Sequence, residues 1–371
     1  MMAFKMAFQW FARLVGCFLT LLMVATVSAD SLDELNDGPY IRFLQDDSLV
    51  AIQWICRGEA YTQVASVIEG RLVPVRCHQR WPIYLAEQLN ADPQTEFEAQ
   101  KVAVIADIHG QFELATTLLK AHHIIDDKFE WQFGQNHLVV LGDMMGRGAE
   151  VTELLWFLYE LEQQAKRAGG RVHVMIGNHE SMVMQGDIRF ANQKYQRSSL
   201  LLKQQYQDLF DTSTLLGRWL RTKPVMLKIN NMLMVHAGVH PDLLLLQMNM
   251  AEINQRFNDT LGITRSAAAE EPDLAFLYGR YGPLWLRQYF AGDEALPFSQ
   301  LKTVLHHFGV EHIVVGHTSF DKIYMHYNGH VISVDSDLKR GVSGELFFWD
   351  NQQLWRGTKD GKLRPITHYK P

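Results

Sequence analysis

Five short apolar runs along the chain each end in a polar cluster that contains glycine or borders it. The runs read VAVIA at 102–106, LVVL at 138–141, VHVMI at 172–176, MLMV at 232–235 and HIVV at 312–315. Each has the length of a strand rather than of a buried helix. The strand Lys101–Ala106 precedes a helical stretch at Phe112–His122, and His137–Leu141 precedes another at Val151–Arg167. Gly169-Gly170 ends that helix. Arg171–Ile176 then leads to a long helical stretch from Ile188 to Arg221. Alternation of this kind predicts βαβ units. After Arg221 the pattern changes. Val225–Ile229 and Met232–Val235 read as a hairpin around Asn230-Asn231. A helix over Leu243–Phe257, a surface loop at Thr264–Pro272 and strands at Ile313–Val315, Ile323–Tyr327, Val331–Val334 and Glu345–Trp349 follow. These later strands predict a second, mostly antiparallel sheet. Upstream, Leu49–Cys56, Gln63–Ile68 and Arg71–Cys77 read as short strands of a small β-rich extension over residues 30–100, and Ala91-Asp92-Pro93 turns into the main domain at 101–371.

The first 29 residues are set apart. Lys5 and Arg13 are their only charges, Phe18–Val27 is nearly all apolar, and Val27-Ser28-Ala29 offers a small-residue cleavage site. That build predicts a secretory signal peptide over 1–29, the alternative being an uncleaved anchor. Leu14-Val15-Gly16-Cys17 resembles a lipoprotein box, but the apolar core follows it instead of preceding it. No later run is long and apolar enough for a membrane helix. The expected location is therefore periplasmic or secreted, without stable membrane insertion after cleavage. Cleavage moves the formal charge from −6 to −8, because residues 1–29 carry two basic and no acidic side chains. An acidic body argues against nucleic acid as a partner. It also means that an anionic substrate must be drawn in locally. Of three cysteines, Cys17 falls in the signal, and Cys56 and Cys77 remain. In an exported chain the pair suggests a disulfide; the alternative is two buried thiols.

The polar clusters carry the chemistry. Asp107 and His109 lie two residues apart at a strand end, so their side chains can share one face. Asp143 ends the next strand and could bridge two ions. Asn178 offers an amide oxygen, and His236 and His317 are each followed by a small or short polar residue. Singly, each has an ordinary structural explanation. Together they predict two divalent metal ions. Carboxylate, amide and imidazole without thiolate suit manganese, iron or zinc in a catalytic role better than a structural zinc. Such a pair of ions activates water and holds phosphoryl oxygens for in-line attack. His179, beside Asn178, is placed to protonate the leaving oxygen, or else braces a ligand. Arg147 can clamp phosphate through its planar fork, or is a solvated loop arginine. Neither Cys56 nor Cys77 opens a C-x5-R loop, so a thiol nucleophile is not available.

The ordered motifs Asp107-Ile108-His109-Gly110, Gly142-Asp143 with Arg147-Gly148, Gly177-Asn178-His179-Glu180, His236-Ala237-Gly238 and Gly316-His317 resemble the calcineurin-like metallophosphoesterase superfamily. The resemblance covers about residues 101–340. It is greatest to the phosphoprotein phosphatase branch and, within it, to the Shewanella-like phosphatases, with which Arg280-Tyr281-Gly282-Pro283-Leu284-Trp285 also fits. It implies an α/β fold, a β-sandwich of two mixed sheets flanked by helices. It implies Asp107, His109 and Asp143 on one metal, and Asp143, Asn178, His236 and His317 on the other, with manganese favoured. It further implies a metal-bridging hydroxide as nucleophile, His179 as general acid, phosphate contacts from Arg147, Asn178 and Arg280, and phosphorylated proteins or peptides, phosphotyrosine above all, as substrates. Ser319 stands where many phosphodiesterases have a second histidine, which favours monoesters.

Two positions depart from the family pattern. Ala106 replaces a glycine where only a small residue is needed. Gly146 replaces the aspartate that orients the catalytic histidine, with Glu180 or a water as candidate substitutes. Gly146→Asp is accordingly expected to raise turnover. His122-His123 and His306-His307 read as solvated or partly buried helix residues. Tyr278, Tyr281, Trp285 and Tyr289 read as core, or as a rim for an aromatic leaving group. The alternatives are a diadenosine tetraphosphatase-like nucleotide hydrolase, which shares the VVGHT-like ending, and a metal-containing binding protein that has lost catalysis.

Overall fold

Strand residues of the central sheets are buried on both faces, and the alternation of side chains divides them between two cores. In the computed structural model, which describes residues 35–44, 47–67, 77, 83–85 and 89–370, the N-terminal strands are β1 (Asp37–Phe43), β2 (Leu49–Cys56) and β3 (Glu59–Ser66). Next come β4 (Glu96–Phe97), β5 (Lys101–Ile105), β6 (His137–Val140), β7 (Arg171–Val174), β8 (Met226–Ile229) and β9 (Met232–Val235). The last are β10 (His312–Val315), β11 (Tyr324–His326), β12 (Val331–Ser333), β13 (Glu345–Asp350), β14 (Gln353–Thr358), β15 (Leu363–Pro365) and β16 (Thr367–His368). One sheet runs β15-β14-β13-β5-β6-β7 and the other β16-β11-β12-β10-β9-β8-β4.

Val102, Val104, Val139 and Phe347 from the first sheet meet Leu227, Met232, Met234, Val314 and Ile332 from the second in one buried cluster. Their sequence neighbours Ala103, Ile105, Leu138, Val140, Leu233 and Val315 face the helices instead. Side chains alternate with period two, so a strand covered on both faces must be apolar throughout. That explains the unbroken runs in the sequence. It also confirms the α/β sandwich flanked by helices. Ala106 packs in the sandwich interior with no exposed surface.

The second sheet is mixed rather than mostly antiparallel: four of its six pairings are parallel. The hairpin of β8 and β9 is antiparallel as expected. β9 and β10 run parallel because helical segments connect them, and β10 and β12 because β11 turns back between them in the chain; a sequence window does not report such crossovers.

Helices α1 (Phe112–Ala121), α2 (Val151–Arg167), α3 (Asn178–Met184) and α4 (Gln193–Leu202) follow the strands. The single long helix expected over Ile188–Arg221 is divided into α4, a 3-10 turn at Tyr206–Phe210 and a short helix at Leu215–Leu220. Lys203 ends α4 in left-handed backbone, and Thr214 caps the last piece. The expected helix Leu243–Phe257 is likewise a 3-10 turn over Pro241–Leu246 followed by a helix over Met250–Thr260 capped by Asn249.

Strands β1–β3 form a separate antiparallel sheet. It packs onto the main body, where Trp156 donates to the Pro39 carbonyl at 3.0 Å and Tyr40 contacts Thr152. Cys56 and Cys77 are disulfide-bonded. The expected strand at Arg71–Cys77 and the segment 1–29 lie outside the described residues, Cys77 apart. Among the described residues, no helix is long and apolar enough to cross a membrane.

Candidate metal centre

The parallel strands β5, β6 and β7 deliver their C-terminal ends to one edge of the sandwich, as do β9 and β10. In open α/β sheets this edge is where loops diverge and sites form. Backbone bonds lace the loops together there: His109 N to Asp143 O at 2.9 Å, Gly148 N to His109 O at 2.8 Å, and Gly316 N to His236 O at 2.8 Å. Asp107, His109, Asp143 and His317 all hold left-handed backbone, with φ of 52°, 50°, 53° and 62°. Such conformations cost on the order of 1 kcal/mol each and concentrate at functional sites. Two glycines are required by close approach of the carboxylates. A Cβ on Gly177 would lie 2.3 Å from Asp143 Oδ1, and one on Gly316 would lie 2.3 Å from Asp107 Oδ2.

Asp143 is common to two groups of possible metal-binding side chains. One group contains His109, Asp143 and His179, the other Asp143, His236 and His317. His109 Nε2 is 3.5 Å from Asp143 Oδ2 and 3.9 Å from Asp107 Oδ1. His236 Nε2 is 3.4 Å from Asp143 Oδ1 and 3.0 Å from Asn178 Oδ1. The structure thus brings together Asp107, His109, Asp143, Asn178, His179, His236 and His317.

These atoms fit cations and little else. His109 Nδ1 faces the Met145 carbonyl at 2.8 Å, and His236 Nδ1 faces the Leu141 carbonyl at 2.8 Å. A carbonyl only accepts, so each Nδ1 donates, and in the neutral ring Nε2 carries a lone pair. Both lone pairs then point at carboxylate or amide oxygens. Burial drives the His109 pKa down to about 3, keeping that ring neutral. Burial, with His236 and Arg287 nearby, also drives His317 well down. His317 Nε2 is buried without a partner. Four carboxylates, those of Asp107, Asp143, Glu180 and Asp335, are buried at 2% exposure or less. Burial first, then Asp335 and Asp143, push Asp107 upward. Burial would do the same to Asp143, but the imidazoles of His236, His179 and His109 outweigh it and hold Asp143 below the ordinary range. Buried anions and converging lone pairs of this kind are stable only around a counter-cation. Hydrogen bonds from the outer imidazole nitrogens to carbonyls are the usual means of orienting metal-binding histidines.

Glu180 does not take over the role of the missing aspartate. Its carboxylate accepts from Asp143 N at 2.9 Å, Met145 N at 2.9 Å and Gly177 N at 2.8 Å, joining two loops below the site. Burial, then the Asp143 charge, raises it to about 7. His179 is held otherwise. Its Nε2 lies 3.8 Å from Asp143 Oδ2, and its ring stands edge-on to His109 and face-on to Phe190. Gly146 borders its Nδ1. A Cβ there would lie 2.5 Å from Nδ1, on backbone with φ of 86°. The structure therefore reverses the expectation drawn from the sequence. Gly146→Asp is predicted to displace the His179 ring and lower kcat by about 10- to 100-fold, the effect of a misplacement of about 1 Å. Steady-state kinetics with metal content measured in parallel will check this; a faster variant would restore the original expectation.

Arg147 is exposed, and among the described residues it makes no ion pair. Its guanidinium lies 5.1 Å from the Phe190 ring. Arg280 is exposed as well. It donates to Tyr281 Oη at 2.5 Å and lines, with Arg265, Leu274, Ala275, Tyr278 and Trp285, a cavity of about 360 Å³. Trp285 connects this cavity to the centre, with its ring edge-on to His317 at 5.9 Å. Tyr289 is core, and Tyr281 stacks on His240. His122 bonds the Thr358 carbonyl. Asp335 carries a weaker form of the same signal, since it follows the run Val331-Ile332-Ser333-Val334, which Ser333 interrupts. It accepts from Ser319, which in turn contacts Lys339. Phe190 left no signal, since it lies in the stretch expected to be helical.

The calcineurin-like phosphoesterase profile matches residues 100–319. The chain belongs to that family of metal-dependent hydrolases. It is similar over 89% of its length, and over 99% of the other chain, to the crystal structure of the cold-active protein-tyrosine phosphatase of a psychrophilic Shewanella species, at 35% identity and a TM-score of 0.84. It is 38% identical over 102 residues to Shewanella-like protein phosphatase 2 of Arabidopsis thaliana, a match spanning 27% of this chain and 26% of that protein. It is also 30% identical over 141 residues to the symmetrical bis(5'-nucleosyl)-tetraphosphatase of Shewanella loihica, covering 37% of this chain and 44% of that one.

Proposed function

We propose that this chain is an exported, metal-dependent phosphomonoesterase acting on phosphotyrosine in proteins or peptides. The observation that carries the phosphoesterase reading is the pair of acceptor groups sharing Asp143. Asp107, His109 and Asp143 would hold one divalent ion, and Asp143, Asn178, His236 and His317 the other, with manganese favoured over iron or zinc. Such ions, when bound, supply an activated water and neutralise phosphoryl oxygens. His179 Nε2 faces the same space and donates a proton to the leaving oxygen. Arg147, exposed at the rim, engages the phosphate, and Asn178 and Arg280 complete its binding. Aromatic surfaces support the tyrosine preference. Phe190 lies on the His179 side and Trp285 on the His317 side, so an aryl leaving group meets a ring on either hand.

The second reading, a dinucleotide tetraphosphate hydrolase, rests on the likeness to the Shewanella loihica enzyme. Phosphate release by the manganese-loaded chain separates the two. Matched phosphotyrosine, phosphoserine and phosphothreonine peptides are offered beside diadenosine tetraphosphate. Phosphotyrosine is expected to be preferred, and chelator to abolish turnover. Preference for the dinucleotide would move the chain to the second reading, and absence of metal-dependent turnover would leave a binding protein.

A further inference from the structure

We propose that Phe190 is a positioning residue for His179, replacing by ring stacking the carboxylate that Gly146 lacks; this rests on the reading of His179 as proton donor. Among the described residues, no hydrogen bond reaches His179 Nδ1, and the backbone of Gly146 occupies the approach to it. An imidazole without an outer partner is free to rotate about its χ2 axis, which would swing Nε2 away from the phosphoryl site. Packing closes that freedom. The Phe190 ring lies against His179 with centroids 5.2 Å apart and planes 28° from parallel. The His109 ring meets it edge-on at 4.4 Å. His179 is thereby confined between two rings, one of them anchored through its own Nδ1 to the Met145 carbonyl.

The loop that carries Phe190 is tied to the centre and not merely draped over it. Arg147 N donates to the Phe190 carbonyl at 2.6 Å, and Asn192 Nδ2 donates to the Arg147 carbonyl at 2.7 Å. Asp187 N closes the turn onto Met182 O at 2.8 Å. Phe190 is 40% exposed, with its ring stacked on His179. The guanidinium groups of Arg147 and Arg189 flank its ring at 5.1 Å and 5.7 Å. The same ring thus contacts both the proposed proton donor and the guanidinium of Arg147.

The test compares Phe190→Ala, Phe190→Leu and Phe190→Trp, each in the wild-type and His179→Asn backgrounds, on the full manganese-loaded chain. Phenyl phosphate, with a poor leaving group, and p-nitrophenyl phosphate, with a good one, are the probes. Phe190→Ala is expected to lower kcat on phenyl phosphate by about 10- to 100-fold, over and above any rise in KM from the lost aryl contact, and to affect kcat on p-nitrophenyl phosphate less. Phe190→Trp should recover most of the rate, and Phe190→Leu, which keeps apolar bulk without a flat face, should not. In the His179→Asn background Phe190→Ala should add no further loss, because residues that act as a unit are non-additive. Equal losses in both backgrounds, or a change confined to KM, would overturn the proposal while leaving His179 as the acid. If His179→Asn alone leaves phenyl phosphate turnover intact, it is the reading of His179 that falls.

Discussion

Replacing Asp143 with Asn is expected to abolish most activity and most metal binding while the chain stays folded. Asp143 is the one side chain shared by both groups of acceptors at the sandwich edge, with Oδ2 toward His109 and Oδ1 toward His236. An amide offers one acceptor oxygen and no charge, so at most one group keeps its contact. Loss of metal-derived charge stabilisation, worth several kcal/mol, lowers kcat/KM by roughly a thousand-fold or more. The fold should survive, because the substitution is nearly isosteric. The checks are metal content by elemental analysis, kcat/KM, and the melting temperature of the metal-free chain. A variant with two bound ions and near-normal turnover would remove Asp143 from the centre of the site. The metal-free variant is expected to melt cooperatively near the metal-free parent.

His179→Asn is expected to lower kcat by about 100- to 10,000-fold on esters with poor leaving groups, the usual range for general acid catalysis. The loss should shrink as the leaving group becomes more acidic. Tyrosine, whose phenol has a pKa near about 10, is a poor enough leaving group to need the proton. Metal content should not change, because the proposed ligands are Asp107, His109 and Asp143 on one side and Asn178, His236 and His317 on the other. The structure also places His179 Nε2 3.8 Å from Asp143 Oδ2. Loss of one ion in the variant would therefore make His179 a ligand instead of an acid. Equal losses across leaving groups, with metal retained, would make it a brace.

The five strand-end motifs were legible because each obeys two local rules at once. Doubly buried strands must be apolar throughout, and polar side chains can begin only where the strand leaves the core. Val104 and Val139 thus announce the sandwich, and Asp107 and Asp143 announce its edge. Asp335 follows the same rule after Val334 and could have been found by it. The division of the long helix expected after Ile188 was harder to foresee. Left-handed Lys203 and the cap at Thr214 end helical pieces whose composition alone would continue.

Other features were decided only when distant segments met. The second sheet became mixed because crossovers align β9, β10 and β12, and periodicity does not record strand direction. Glu180 reads as a candidate substitute for the missing aspartate, yet it binds the amides of Asp143 and Met145, 37 and 35 residues away. Gly146 reads as a lost carboxylate, but its backbone lies against His179 so closely that no side chain fits without moving the ring. Phe190 reads as one apolar residue among several and becomes the surface that His179 lies on. Sequence determines which residues end strands, because that is a local matter of burial and periodicity. Which nitrogen of a histidine faces inward, and what holds it there, depends on loops packed from opposite sheets, and only the tertiary structure decides that.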